Sequence, residues 1–382
     1  MAGDTDLPFP LDRLCGELDL RAKRLLVLGL QARLHWLAPR RLRAERKRRR
    51  IQGQQLAREL ILPMVGGEQF TWLDLRPADG AGPGFRLSSV LSFGYDLGTS
   101  LAALLCCPAS SAELSGRLCA LFNVGITLFD RVCDDTEEGA ALARDLIEEE
   151  GLRRLIREAG TADFPHGAAL PYGAGAENHG RLLQALATAV GGFFLSLHDS
   201  AVPPAESPEW RDLEAALIAS YHAELSTAGR GLAADSPCDL MAAAATKSVA
   251  PFTVMGCVAR ICFPVSGDEI SELQAAAHHL GRVFSLVDDI VDLVSDLRAG
   301  QVNTLLLRVV IDRGDRGCRD MSAGAIAVEL LDSDVIGDAV GELCDEMDTL
   351  TAYSRSYARP DLYSTALSHA QMWVSGSLRG RG

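Results

Sequence analysis

Residues 284–304 read FSLVDDIVDLVSDLRAGQVNT and place four carboxylates inside an otherwise apolar helical run. Asp288, Asp292 and Asp296 recur every four residues, so on an α-helix they lie one turn apart on a single stripe. Like charges on a partly buried stripe repel one another and are costly to desolvate unless a hard cation neutralises them. A solvated acidic face is the alternative, but the apolar flanks are untypical of a wet surface. Five residues on the other side of this helix are predicted to face the core: Val283, Val287, Ile290, Val294 and Leu297.

A second acidic motif ends an earlier helix, in residues 121–135, which read LFNVGITLFDRVCDD. Asp130 and Asp134 repeat the one-turn spacing, and Asp135 follows directly. Two helices with inward acidic stripes can face each other across a bundle and hold cations between them. Carboxylates without paired His or Cys favour Mg²⁺ or Mn²⁺ over zinc. Because Mg²⁺ takes phosphate oxygens as further ligands, the sequence predicts a phosphorylated substrate, in particular a diphosphate.

The rest of the chain is predicted to be helical. Hydrophobic residues make up 48% and aromatic residues only 6% of the 382 residues, a balance that favours helix over sheet. We find no segment with convincing strand alternation and no Gly-rich phosphate loop. We therefore expect an all-α bundle, with a basic helical N-terminal extension at 1–65 and a single catalytic domain at 66–382. Helices are predicted over residues 11–62, 87–105, 112–134, 182–198, 210–231, 240–262, 270–297, 325–358 (with an interruption) and 363–378.

Charge and cysteine content restrict the class of protein. The net charge is −14, but residues 1–60 carry 14 basic and 7 acidic groups, so the remainder is strongly acidic, which argues against nucleic acid. The basic segment is interpreted as a capping extension with a solvated face, the alternative being a helix that binds a membrane surface or a partner. The ten cysteines show no CxxC pairing and are expected to be reduced. With no signal peptide and no apolar run of about 18 residues, we expect a cytoplasmic protein without a transmembrane segment.

The two acidic motifs together resemble those of trans-isoprenyl diphosphate synthases and of the class I terpene synthases that share their fold. Residues 288–292, DDIVD, fit the DDxxD pattern of the synthases, and the four-residue spacing also fits the metal triad of terpene synthases. Residues 241–252, MAAAATKSVAPF, are similar to the KT-containing helix that precedes the second motif. The resemblance covers residues 82–304 and implies an isoprenoid-synthase-type helical bundle around a central active-site cavity. It also implies about three bound Mg²⁺ ions, with Mn²⁺ as the alternative, a prenyl diphosphate substrate and a homodimer as a candidate assembly.

This resemblance assigns roles to individual residues. It makes Lys247 and Arg86 contacts of the diphosphate, to which Arg298 is added as a nearby cation, and it places Gly125 and Ile126 at the floor of the hydrocarbon pocket. Phe122, Phe129 and Phe284 lie on or beside the motif stripes, so their ring faces are candidates for stabilising a carbocation, with plain core packing as the alternative. The expected metal ligands are Asp130, Asp134, Asp135, Asp288, Asp292 and Asp296, and the catalytic set is Asp130, Asp134, Asp288, Asp292 and Lys247.

Several positions depart from the pattern of the chain-elongating enzymes. The second aspartate of the first motif is Arg131, although the metal contacts of the family come chiefly from the first and last positions. The lysine, arginine and histidine that hold the second diphosphate in elongation are replaced by Phe85, Ser88 and Asn123, and a lysine after the second motif is Gln301. We therefore expect a class I terpene synthase that acts on farnesyl or geranylgeranyl diphosphate. The alternatives are an elongating prenyl diphosphate synthase and a non-catalytic subunit of one.

Overall fold

The computed structural model describes residues 10–34, 39–61, 87–135, 177–200, 207–227, 236–265, 267–313, 321–356 and 369–370. Within these ranges the chain forms eleven α-helices and no β-strand, so the all-α prediction is confirmed. The helices are α1 (Leu11–Leu34), α2 (Pro39–Leu56, continued by a π-helical turn at Ala57–Ile61), α3 (Leu87–Leu104), α4 (Ala109–Asp135), α5 (Glu177–His198), α6 (Pro208–Thr227), α7 (Pro237–Cys262), α8 (Asp268–Ala299), α9 (Thr304–Asp312), α10 (Ala323–Asp332) and α11 (Val335–Ser356).

Helix α8 carries the second acidic motif and is the longest of the described helices, at 32 residues. It packs against α7 on one side and against α1 and α11 on the other. All five residues predicted to face the core are at most 3% exposed: Val283, Val287, Ile290, Val294 and Leu297. Burial of this apolar face fixes the rotation of α8 about its axis, and with it the direction in which the acidic stripe points.

A short helix that the sequence did not reveal follows α8. Gly300 ends α8 in the left-handed conformation (φ 66°), which glycine adopts without steric cost. The chain then turns, and Asn303 caps α9 by accepting a hydrogen bond at 3.0 Å from the backbone N–H of Leu305. Helix α9 reads TLLLRVVID, and in so short an apolar run the hydrophobic period does not separate helix from strand.

Other predicted boundaries hold with small changes. The long helix predicted over 11–62 is divided into α1 and α2, and the predicted interruption of 325–358 lies at Ser333 and Asp334, between α10 and α11. The hydroxyl of Ser236 caps α7 by accepting a hydrogen bond from the N–H of Asp239 at 3.3 Å. Of the last predicted helix, 363–378, only residues 369–370 are described, and both are helical.

The two basic N-terminal helices pack onto the rest of the bundle. Helix α1 contacts α8, α10 and α11, and α2 contacts α3. On α2, Arg49 is buried, and its Nε lies 3.0 Å from the carboxylate of Asp96 on α3. The Nε2 of His369 lies 3.3 Å from the same carboxylate oxygen. This buried ion pair attaches α2 to α3, so at Arg49 the basic face is packed and not solvated.

Two described helices, α4 and α7, are long and apolar enough to span a membrane by length and composition. The sequence prediction had found no such run. Both helices contribute many residues to the core of the bundle, among them Phe122 and Leu128 on α4 and Val254 and Val258 on α7. Core helices of a bundle pass the same length and composition test, so this finding is weak evidence for a membrane span.

Helices α3 and α4 approach each other closely through two glycines one turn apart, Gly94 and Gly98. A Cβ atom added at Gly98 would lie 2.6 Å from the Cβ of Cys119 and 2.8 Å from the carbonyl oxygen of Ser115. At Gly94 the added atom would lie 2.4 Å from the carbonyl oxygen of Cys119. The absence of side chains at these positions therefore sets the distance between α3 and the helix that carries the first acidic motif.

We predict that Gly98→Ala destabilises the protein by about 1 to 3 kcal/mol, the usual cost of overpacking a core. The control is Gly341→Ala on α11, where an added Cβ meets nothing within 4 Å. This control should be stabilised by roughly 0.5 to 1 kcal/mol, because alanine favours helix. Thermal and denaturant unfolding of the two variants checks the prediction. Equal stability of the two would show that α3 and α4 are not in close contact.

Candidate active site at the two acidic motifs

Asp130 on α4 and Lys247 on α7 form an ion pair. The Nζ atom of Lys247 donates a hydrogen bond to Oδ1 of Asp130 at 2.6 Å. Both side chains are about one-third exposed, at 32% and 37%. The structure therefore brings together two residues that are 117 positions apart in the sequence and that the sequence analysis had placed at one site.

A third member of this cluster, Glu224 on α6, escaped the sequence analysis. Its Oε2 atom lies 2.8 Å from Nζ of Lys247, and its side chain is 5% exposed. In α6 the buried positions recur at helical spacing and include Leu217, Ser220 and Tyr221. Glu224 continues this buried stripe as an acidic residue, and that placement is the signal that could have revealed it.

The cluster shifts the pKa values of Asp130 and Glu224 in opposite directions. Burial raises the pKa of Glu224 well above its ordinary value, and the charge of Asp130 raises it further. Burial also opposes ionisation of Asp130, but the Lys247 ammonium and the hydrogen bonds from Glu224 and Lys247 outweigh it and lower the pKa. Of the two carboxyl groups, Asp130 is therefore the one whose ionised form the cluster favours.

The acidic stripe on α8 is only partly exposed, which argues against a solvated acidic face. Burial and the neighbouring charges of Asp292, Asp289 and Asp296 raise the pKa of Asp288 well above its ordinary value. Burial raises the pKa of Asp296 to about 7, and the charge of Asp292 adds to the effect. The charge of Lys247 lowers the pKa of both Asp288 and Asp296. Lys247 thus acts on both acidic motifs at once.

Asp289, the second residue of the DDIVD sequence, differs from the stripe residues because its carboxylate is bonded to the start of α9. Its carboxylate accepts hydrogen bonds from the hydroxyl of Thr304 and, at 3.3 Å, from the N–H of Thr304. Asn303 donates at 2.9 Å both to the carbonyl oxygen of Asp289 and to Oδ2 of Asp296. These bonds fasten the start of α9 to α8. They also fix the carboxylate of Asp296, the last residue of the stripe.

The donor set of this site fits a hard cation. The ionisable groups that would face it are carboxylates, and their mutual repulsion raises pKa values that a bound cation would lower. Among the described side chains no three His, Cys, Asp or Glu groups converge on one point. Mg²⁺ is commonly bound by one or two carboxylates together with substrate phosphates, and this donor set suits that mode of binding.

The residues predicted to line a hydrocarbon pocket are all buried, and they lie in two separate groups. On α4, the ring of Phe129 packs edge-on against the ring of Tyr221, with 4.9 Å between the ring centres. The ring centres of Phe122 and Phe193 are 6.0 Å apart. Ile126 is buried on the same helix. Phe284 belongs to the other group. Its ring stacks on that of Phe252, with 5.5 Å between the ring centres, and packs edge-on against that of Phe93, with 4.9 Å between the centres.

Gly125 faces α5 and α6. A Cβ atom added there would lie 3.5 Å from Cγ2 of Val190 and 3.7 Å from the hydroxyl of Tyr221, which is ordinary van der Waals contact. A methyl group therefore fits at this position, whereas a larger side chain would have to displace Val190 or Tyr221.

Not every predicted site residue joins the cluster. Arg298 is exposed, and its Nη2 lies 2.8 Å from the carboxylate of Asp12 on α1. Asp134 and Asp135 end α4 as predicted, but their side chains lie outside the described residues, as do Phe85 and Arg86.

Asn123, which the sequence resemblance aligned with a histidine of the elongating enzymes, takes part in packing between helices. It is 8% exposed, and its Nδ2 donates a hydrogen bond at 2.9 Å to the carbonyl oxygen of Val90 on α3. The sequence resemblance aligned Ser88 with an arginine of the elongating enzymes. In the structure its backbone, on α3, packs closely against Gly53 of α2. A Cβ atom at Gly53 would lie only 1.8 Å from the carbonyl oxygen of Ser88.

No protein-family model and no curated protein matches this sequence. Among solved structures, the chain is similar to the geranylgeranyl pyrophosphate synthase from Corynebacterium glutamicum ATCC 13032, with a TM-score of 0.50 and 16% identity over 88% of this chain and 96% of that chain. A structure of the synthase from Corynebacterium glutamicum complexed with calcium and isoprenyl diphosphate is similar with a TM-score of 0.49 and 16% identity, over 87% and 97% of the two chains. The first likeness shows that this chain has the helical fold of an isoprenyl diphosphate synthase.

The raised pKa of Asp296 predicts how stability depends on pH when no divalent cation is present. A carboxyl whose folded pKa is about 7 instead of 3.8 stabilises the folded state below about pH 4, and that stabilisation is lost as the pH rises through 7. Asp296→Asn stays neutral at every pH. In EDTA its melting temperature should therefore exceed that of the wild type at about pH 8, and the gap should shrink towards about pH 4.

The control for this prediction is Asp345→Asn, which changes an exposed aspartate on α11. Mg²⁺ should raise the melting temperature of the wild type more at about pH 8 than at about pH 5, because cations compete with protons for the stripe. A gap between Asp296→Asn and the wild type that does not change with pH would contradict the arrangement.

Proposed function

We propose that the chain is an enzyme that binds an allylic prenyl diphosphate between its two acidic motifs and breaks the bond from the allylic carbon to the diphosphate oxygen. The observation that carries this proposal is the position of Lys247. Its ammonium lies 2.6 Å from Asp130 of the first motif, and its charge lowers the pKa of Asp288 and Asp296 in the second. A cation between two acidic stripes is well placed to receive the charge of a leaving diphosphate.

Divalent cations are part of this proposal. Asp130 on α4 and Asp288, Asp292 and Asp296 on α8 would hold Mg²⁺ or Mn²⁺, with Asp134 and Asp135 as further ligands from the end of α4. When bound, such cations supply Lewis-acid stabilisation of the negative charge on the departing diphosphate. Asp289 has a supporting role, because it bonds to Thr304 and holds the stripe against α9.

The side chains of the cluster prepare the site for bond cleavage. The carbon–oxygen bond breaks heterolytically: the electron pair leaves with the diphosphate oxygen, and the carbon is left as an allylic cation. Lys247 donates a hydrogen bond to the diphosphate, and Glu224 holds Lys247 at this place. The apolar residues Phe129, Phe122 and Ile126, just before Asp130 on α4, exclude water that would otherwise quench the cation.

We propose further that the cation is consumed without a second substrate, by cyclisation or by loss of a proton, as in a class I terpene synthase. Asn123 and Ser88 support this, since neither supplies the positive charge that a second diphosphate needs. Asn123 is also engaged with Val90. Farnesyl or geranylgeranyl diphosphate is proposed as the substrate because the sequence resemblance puts Gly125 at the floor of the hydrocarbon pocket. A long tail would have to displace Val190 or Tyr221, which leave room there only for a methyl group.

Chain elongation is the second candidate. It is favoured by the fold likeness to a protein described as a geranylgeranyl pyrophosphate synthase. In that reaction the allylic cation would be attacked by the double bond of isopentenyl diphosphate, and a proton would then be lost, which gives a longer diphosphate.

One incubation separates the candidates. Farnesyl and geranylgeranyl diphosphate are each supplied with Mg²⁺, with and without radiolabelled isopentenyl diphosphate. We expect inorganic diphosphate and an organic-soluble terpene from a single substrate, and no label in any product. Label incorporated at the rate of diphosphate release would establish elongation. If neither substrate is consumed, the proposal of an enzyme fails and the non-catalytic reading takes its place.

A variant test addresses the cation-binding residues. Asp292→Ala should lower kcat by about 100-fold or more, the scale for losing one charge-stabilising group at a reacting centre. Its stability in the absence of metal should be kept, because burial raises the pKa of Asp292 and the folded state therefore disfavours this charge. Asp345→Ala, at an exposed site on α11, is the control. Near-normal turnover by Asp292→Ala would remove the second motif from the active site.

A further inference from the structure

Lys23 on α1 is one of only three lysines in the chain, with Lys47 and Lys247. Although α1 lies at the edge of the bundle, the side chain of Lys23 is only 13% exposed. Its Nζ donates a hydrogen bond to Asp19, one turn earlier on the same helix, at 3.0 Å. Lysine on a surface helix normally extends into water. Here the ammonium is held against the bundle.

Two contacts show which part of α8 this ammonium faces. At the C-terminal end of α8, Arg298 pairs with Asp12 at the start of α1. Asp19 lies about 10 Å further along α1 from Asp12, and Asp292 lies about 9 Å back along α8 from Arg298, at 1.5 Å per residue. At the other end of α1, the carbonyl oxygen of Gly29 lies 3.5 Å from Sγ of Cys344 on α11. On either side of Cys344, Glu342 and Glu346 bond to Arg282 and His279 of α8. Helices α1 and α8 therefore run in opposite directions, and Asp19 and the Lys23 ammonium that it holds come level with Asp292.

Electrostatics agree with this geometry. Burial raises the pKa of Asp292, and the charge of Lys23 lowers it. Lys247 acts in the same way on Asp288 and Asp296.

We propose that Lys23 is a second cationic ligand of the diphosphate group and that it comes from the N-terminal helix α1. This inference rests on the proposed function, which puts a diphosphate at the acidic stripe. Gln301 gives no positive charge where α8 ends, and Arg298 is turned outwards to Asp12. Lys23 supplies a cation from α1, and Lys247 supplies one from α7. Helix α1 is then a part of the active site and not only a cap on the bundle.

The competing explanation is that Lys23 and Asp19 form an ordinary pair one turn apart that merely stabilises α1, which is worth little on a helix surface. The two explanations differ in what Asp19 does. If Lys23 binds diphosphate, Asp19 competes with the ligand for the same ammonium. Removing the charge of Asp19 should then leave diphosphate binding intact or make it tighter.

The test is calorimetric titration of inorganic diphosphate in the presence of Mg²⁺ into the full chain, compared among the wild type and five variants. Lys23→Met removes the cation, Lys23→Arg keeps it, and Asp19→Asn removes only its partner. Lys47→Met changes an exposed lysine on α2 and is the matched control. Lys247→Met gives the effect of losing the lysine between the motifs. Melting temperatures are measured without ligand, so that a loss of folding is recognised.

We expect Lys23→Met to weaken binding by about tenfold or more, the scale of one hydrogen bond between charged groups. Lys23→Arg should retain most of the affinity, and Asp19→Asn and Lys47→Met should bind at least as tightly as the wild type. The inference is overturned if Lys23→Met binds like the wild type, or if Asp19→Asn is weakened as much as Lys23→Met. It is also overturned if the wild type does not bind diphosphate with Mg²⁺.

Failure of the proposed function has a different signature. A wild type that binds diphosphate through Lys23 but consumes no prenyl diphosphate would retain this binding site and lose the enzymatic role. A wild type that turns over its substrate, with Lys23→Met unchanged in affinity and in KM, would retain the enzymatic role and lose the contribution of α1.

Discussion

The ion pair between Lys247 and Asp130 is the interaction on which the arrangement of this site depends. It joins α4 to α7 at the place where the first acidic motif faces the interior, and Glu224 of α6 completes it from a third helix. The largely buried ammonium of Lys247 stabilises the charge of Asp130 beside the buried carboxyl of Glu224, whereas without it the charge of Asp130 and burial would both disfavour ionisation of Glu224. Because the three side chains come from three helices, the cluster also fixes how α4, α6 and α7 meet. Its position therefore follows from the fold as much as from local sequence.

In the second motif, by contrast, the electrostatic interactions of the carboxylates are mainly unfavourable. Burial raises the pKa of both Asp288 and Asp296 on α8, and the charges of the neighbouring Asp292 and Asp289 raise them further. The protein maintains this unfavourable arrangement with an apolar face on the other side of the helix and with the bonds from Asn303 and Thr304 of the α9 segment. Strain of this kind is common at sites that bind a charged ligand, since the ligand relieves it. The charge of Lys247 relieves part of it in the absence of a ligand.

Periodicity was sufficient to predict most of the helices and the core side of α8, because the three stripe carboxylates and the five core residues of that helix follow the 3.6-residue period. The resemblance of residues 241–252 then singled out Lys247, which proved to contact Asp130. Glu224 and Lys23 could not be predicted in the same way, since each becomes meaningful only when distant helices pack together. The hydrogen bonds of Asp289 could not be predicted for a similar reason. They are made with Thr304, which lies beyond the turn at Gly300, whereas the sequence shows Asp289 only as the neighbour of the stripe residue Asp288. The metal and hydrocarbon roles of the predicted residues stay predictions.

The central claim is that a diphosphate and divalent cations bind between the acidic stripes of α4 and α8, with Lys247 beside them. Crystals grown with Mn²⁺ and inorganic diphosphate test this most directly, because anomalous scattering locates manganese without reference to the protein model. We expect manganese next to Asp130 and next to the stripe from Asp288 to Asp296, with diphosphate oxygens in contact with Lys247. Crystals in which manganese and diphosphate bind elsewhere, or in which the space between the two stripes is filled by protein side chains alone, would contradict it.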